Sequence, residues 1–173
     1  RGFVYSRIHS LLLQLPQLPL HPKNWRPTIA VLSGDPVRRG ALIDYAILFS
    51  QRRGILSVIQ IIISGDTRHI GERRTPQLQA LRKLAQERDW PIFPSVVIAP
   101  EFDSALRIIL QSHSLDPIRP NIVMMGWPTK AERIPPFFSH LQMIVEDFRR
   151  NALVLANERT TFTPQRYDGG TID

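Results

Sequence analysis

The chain has 173 residues, 43% hydrophobic and 21% charged, with a mean hydropathy of −0.13, the composition of an ordinary globular protein long enough to bury a sizeable core. It contains no cysteine, which excludes disulfides, zinc-thiolate sites and cysteine nucleophiles, and no apolar run reaches the ~18 residues that a bilayer span requires. The net charge of +7 is carried almost wholly by arginine, but in scattered pairs (Arg38-Arg39, Arg52-Arg53, Arg73-Arg74, Arg149-Arg150) that read as solvated helix ends and not as a nucleic-acid surface.

In chain order, Phe3, Val4, Ile8, Leu11, Leu12 and Leu15 recur at near-helical spacing, which predicts a short amphipathic helix over Val4–Gln14. Pro16, Pro19 and Pro22 end it and give an extended linker through Lys23. A helix set off in this way is expected to dock on something else, a partner or another part of the same protein, while the basic charge of the chain allows contact with an anionic membrane surface. Residues 1–23 are thus a linker segment, and an α/β domain is expected over 24–160. Within it, Thr28–Ser33, Ile55–Ile63, Ser95–Ala99, Ile122–Gly126 and Ala152–Ala156 are apolar runs suited to buried strands. Between them the spacing predicts four helices. Ala41–Gln51 should turn Leu42, Tyr45, Ala46 and Phe49 inward. Thr75–Arg88 should have Thr75 as N-cap and Pro76 at its first position. Glu101–Ser112 should bury Phe102, Leu106, Ile109 and Leu110, and Pro135–Arg150 completes the set. The tail 161–173 is polar, and a chain that begins at Arg1 reads as an excised piece.

Strand–helix alternation implies a doubly wound parallel sheet, and the order 3-2-1-4-5 is expected. The switch point then falls between the first and fourth strands, so the loops after Ser33 and after Gly126 open on one crevice. Gly34, Asp35, Asp66, Gly126, Trp127 and Lys130 are the candidate crevice residues, with Arg133 beside them. Gly126 permits close backbone approach or positive φ. Trp127 is expected to cap the core, in which case Trp127→Ala costs roughly 3 kcal/mol. Asp35 and Asp66 each follow a Ser-Gly pair at a strand end; converging, they would suit Mg²⁺ or acid–base work, and apart they are turn residues. No Gly-x-Gly-x-x-Gly, P-loop lysine, His-Glu-x-x-His or Gly-x-Ser-x-Gly occurs, and the five histidines (His9, His21, His69, His113, His140) show no ligand spacing. A non-enzyme without cofactor or metal is expected.

Asn24-Trp25-Arg26-Pro27 and Val123-Met-Met-Gly-Trp-Pro128, with the passages Phe49–Ile59 and Ser104–Ser112 between them, resemble the carboxy-terminal domain of the cation-chloride cotransporters. Gly170–Asp173 resembles the point where members continue into a second half-domain, and the arginine-rich sequence looks more prokaryotic than animal. The resemblance implies a fold like that of universal stress proteins. It also implies a regulatory, dimerising role on the cytoplasmic side of the cell membrane, beneath the transmembrane domain of a carrier coupling chloride to sodium or potassium. Some relatives bind adenine nucleotide, but the glycine pattern that universal stress proteins place after the fourth strand is not present here. The alternative is a stand-alone nucleotide-binding protein of the universal stress type, contacting phosphate through Gly34, Gly126, Lys130 or Arg133.

Overall fold

Five β-branched or aliphatic runs form the strands of the computed structural model, which describes residues 1–18, 25–51, 53–66, 68–113 and 118–156. They are β1 (Thr28–Ser33), β2 (Ile55–Ile63), β3 (Phe93–Ala99), β4 (Ile122–Gly126) and β5 (Asn151–Leu155). All pairings are parallel, in the expected order β3-β2-β1-β4-β5. A parallel strand inside such a sheet is covered on both faces, which is why β1 and β4 read as unbroken apolar runs.

The helices are α1 (Gly2–Gln14), α2 (Gly40–Ser50), α3 (Ile70–Glu87), α4 (Phe102–Ser112) and α5 (Ile134–Gln142). Side chains alternate across β1 and divide the core. Ile29 and Val31 pack with Leu42, Ile43, Leu81 and Trp90 beneath α2 and α3. Ala30 and Leu32 pack with Leu106, Ile109, Phe137 and Ile144 beneath α4 and α5. None of the helices among the described residues is long and apolar enough to cross a membrane.

Four local expectations change. First, α2 buries Leu42, Ile43, Ala46 and Ser50, whereas Phe49 is exposed. Second, α3 starts at Ile70, not Thr75. Thr75 Oγ1 donates back to the Gly71 carbonyl and caps nothing, and Pro76 lies inside the helix. The early start is held by arginines that the sequence suggested were solvated. The Arg73 guanidinium donates to the Asp66 carbonyl and Ser64 Oγ, and Arg74 Nε donates to the Val96 carbonyl. Third, α5 stops at Gln142 and passes into a π turn, Met143–Asp147, closed by Phe148 N–H on the Met143 carbonyl. The wider turn keeps Met143 and Ile144 in the core, and Arg149, in the left-handed region at φ 51°, ends it. Fourth, the segment expected to be extended after α1 begins with a 3₁₀ turn, Leu15–Gln17. Residues 19–24, Arg52 and the tail with Gly170–Asp173 lie outside the described residues.

The start of the sheet is fastened by Asn121. Thr28 N–H donates to its Oδ1 at 3.0 Å, its Nδ2 donates to the Arg26 carbonyl at 3.2 Å, and its own carbonyl accepts from Asn151 N–H and Nδ2. One residue, through its side chain and its carbonyl, thereby ties the approach to β1 to the starts of β4 and β5. Asn121→Ala strands the Thr28 N–H, so a loss of about 2 kcal/mol is expected in urea denaturation. Asn121→Asp, which keeps the acceptor, should cost less.

Candidate functional site

Where β1 and β4 separate, their carboxyl ends open on a crevice of about 680 Å³. Ser33, Gly34 and Asp35 line it from β1, and Gly126, Pro128 and Thr129 from β4. Arg39, the start of α4 (Glu101, Phe102, Asp103) and the α5 side (Arg133, Pro136, Phe137, His140) complete the wall.

The structure brings three of the candidate residues together and leaves three out. Gly34, Asp35 and Gly126 line the crevice; Asp66, Trp127 and Lys130 are not among its lining residues. Asp35 Oδ1 accepts from Val37 N–H at 3.0 Å, and its other oxygen pairs with Arg38, so it serves its own turn. Asp66 does the same one strand over, accepting from Arg68 N–H at 2.9 Å and from Arg68 Nε at 3.1 Å. Those bonds hold its carboxyl below the usual carboxylate range. The two acids are turn residues, and the described residues contain no cluster of metal-binding side chains. Lys130 pairs with Glu132 on the surface. Gly34 has nothing within 4 Å of where a Cβ would sit, and no glycine among the described residues has positive φ, Gly126 included. Trp127 is 38% exposed and stands edge-on to Phe137 and Phe138, with ring centroids 5.4 and 6.1 Å away, outside the core it was expected to cap.

The best-built feature of the crevice is a pair that the sequence pattern did not single out. His140 Nε2 lies 2.7 Å from Asp103 Oδ1, with the His140 side chain only 12% exposed and its ring 4.7 Å from that of Phe102. The carboxylate fixes the imidazole's orientation, a role such pairs play in many sites. Ser33, the nearby hydroxyl, donates to the Ile59 carbonyl at 3.4 Å and is engaged in the sheet. The wall mixes carboxylates (Asp35, Glu101, Asp103) with guanidiniums (Arg39, Arg133), and the strand ends supply no glycine-rich anion nest. The polar groups on this wall are therefore side chains and not a backbone anion nest.

Fold and crevice together define a doubly wound α/β domain with its opening at the β1/β4 switch point. The sequence matches solute carrier family 12 member 3 of Mus musculus at 30% identity over 136 residues, 76% of this chain and 13% of that protein. It matches solute carrier family 12 member 1 of Oryctolagus cuniculus at 27% over 129 residues, 71% of this chain and 11% of that protein. The chain belongs with this family, the cation-chloride cotransporters, as the counterpart of one region of its members. It spans about an eighth of the length of the curated relatives it matches. No protein-family model matches it. A universal stress family protein from Burkholderia pseudomallei superposes with a TM-score of 0.47 at 14% identity, covering 74% of this chain and 95% of that one.

Proposed function

We propose that the chain is a non-catalytic regulatory and dimerisation domain on the cytoplasmic side of a membrane carrier that couples chloride to sodium or potassium. The observation that supports this reading is the match to solute carrier family 12 member 3 across 76% of the chain. A domain of this kind acts through its neighbours: it pairs with a second copy and biases the transmembrane part of the same protein. The test is chloride-dependent uptake of radioactive rubidium or sodium in cells expressing the full-length gene, intact or lacking residues 25–156, at matched surface abundance. Deletion is expected to change uptake roughly fivefold or more, the lower end of allosteric coupling, and to convert dimer to monomer on native gels. An unchanged rate, or a full-length product without membrane spans, would sink the reading.

A second reading, a stand-alone nucleotide-binding protein, is favoured by one observation: a crevice of nucleotide size at the switch point, with Arg133 on its wall. Calorimetry with ATP decides it. Tight binding supports it, and silence at millimolar ligand retires it.

A further inference from the structure

We infer that the amino end of the sheet is a docking face for an anionic phospholipid bilayer. The inference rests on the charge of the sheet domain itself and not on the regulatory reading above. The five positions before each strand hold eight basic residues and three acidic ones, whereas the five positions after each strand hold four basic and five acidic. The positive charge of the chain is thus gathered at one end of the sheet, although its arginine pairs lie scattered in the sequence. Register does the gathering. Thr28 pairs with Ile55, and Asn121 N–H donates to the Thr28 carbonyl. Arg26, Arg53 and Arg119 each stand two residues ahead of one of these three positions, so they enter neighbouring strands at one level. Arg149 and Arg150 extend the row, directly before Asn151, which pairs with Ile122 of β4. With strands about 4.8 Å apart, the row crosses β2, β1, β4 and β5 in roughly 15 Å. Arg26, Arg53, Arg119 and Arg149 are exposed and Arg150 is half-buried.

Charge and exposed rings select the partner. The three acids of this end, Asp89, Glu146 and Asp147, precede the outer strands β3 and β5, so the approaches to β1, β2 and β4 carry positive charge alone. Trp25 and Phe93 stand at the same end and are 52% and 63% exposed. An anionic bilayer takes both features, the guanidiniums at its phosphates and the rings at the headgroup boundary. A nucleic acid would use the charge, but the two rings belong to the approach to β1 and to β3, with β2 between them, and give no continuous platform for stacked bases. A second copy fits less well. Two amino ends repel each other, and at the carboxyl end Asp35 and Asp66 already pair with Arg38 and Arg68.

Co-sedimentation of the whole chain with vesicles tests this, using phosphatidylcholine alone and phosphatidylcholine with one part in three of phosphatidylglycerol. The difference between the two vesicles isolates the charge-dependent part of binding. The chain should partition at least about tenfold more strongly onto the anionic vesicles, and the preference should fade in high salt. Arg53→Gln with Arg149→Gln should weaken that binding by roughly 25-fold, about fivefold for each charge. Arg53→Lys with Arg149→Lys keeps the charge and should bind like the parent, which separates lost charge from lost fold. Arg38→Gln with Arg68→Gln removes the same net charge from the opposite end and should change binding less than about twofold, since those guanidiniums face their own turn carboxylates. Equal partition onto neutral and anionic vesicles overturns the inference. So does equal weakening by the two glutamine pairs, which would leave net charge alone as the cause. A 20-base-pair DNA duplex that displaces the chain from anionic vesicles at equal phosphate concentration, with the same loss in the Arg53→Gln, Arg149→Gln protein, would overturn it in favour of nucleic acid.

Discussion

Gly54→Ala is expected to destabilise the domain by about 3 kcal/mol, the upper end of overpacking costs. A Cβ at this position would lie 2.1 Å from the Pro27 carbonyl oxygen, 2.9 Å from Pro27 Cγ and 3.1 Å from its carbonyl carbon. Two of those three atoms are backbone and cannot rotate aside. The oxygen is also engaged, accepting from Ile55 N–H at 3.1 Å, and the next residues begin the β1–β2 register with Thr28 opposite Ile55. Relief of the clash therefore has to come from separating the two central strands at their starts. The φ of Gly54 is not positive, so the cost is steric and owes nothing to left-handed backbone. For a chain of this size the melting temperature should fall by roughly 6–12 °C. Gly65→Ala, where nothing lies within 4 Å, serves as the control and should melt like the parent. A Gly54→Ala protein that does the same would show that the Pro27–Gly54 contact is not tight.

That contact gives a physical meaning to residues that carried the family resemblance. Pro27 closes one stretch, Gly54 sits within another, and Asn121 lies two residues before the last; Gly54 abuts Pro27, and Asn121 bonds Arg26 and Thr28 on either side of it, where β1 begins. Their pattern was legible in the sequence because backbone close to backbone tolerates few side chains. The sheet was legible for a related reason. β1, β2 and β4 are buried on both faces, so their composition is nearly uniform and hard to mistake. The order of the strands followed from right-handed crossovers, and the crevice from the order.

Features fixed by distant partners were not legible. The first turn of α3 is polar and shows no helical period; it is held by Arg73 and Arg74 reaching to Asp66, Ser64 and Val96. The π turn after Gln142 differs from an α-helix in one hydrogen-bond step, which leaves no mark on composition. His140 and Asp103 stand 37 positions apart and meet only because α4 and α5 pack on the same face of the sheet. The signal that was present was weak: a histidine between Phe137, Phe138 and Leu141, and an acid in the first turn of α4. Asp35 and Asp66, more conspicuous after their Ser-Gly pairs, proved to hold turns.

The aromatic cluster beside the crevice yields the second large effect, because the structure moves the capping role from Trp127 to Phe137. Phe137 is 7% exposed, packs with Leu106, Met125 and Ile144, and lines the crevice. Truncating a buried phenylalanine leaves a cavity that the sheet on one side and α4 on the other can only partly close. Phe137→Ala should therefore cost about 4 kcal/mol. Trp127 meets Phe137 and Phe138 only edge-on and remains 38% exposed, so Trp127→Ala should cost about 1 kcal/mol, near the value of an aromatic pair. The two rings touch, so their losses should not add. Once Phe137 is gone, Trp127 has lost its main contact, and the double variant should be less destabilised than the sum by roughly 0.5–1.5 kcal/mol. Urea unfolding of the four proteins measures all three quantities at once. A Trp127→Ala loss equal to that of Phe137→Ala would return the cap to the tryptophan. Strict additivity would mean that the two rings, 5.4 Å apart between centroids, do not support one another.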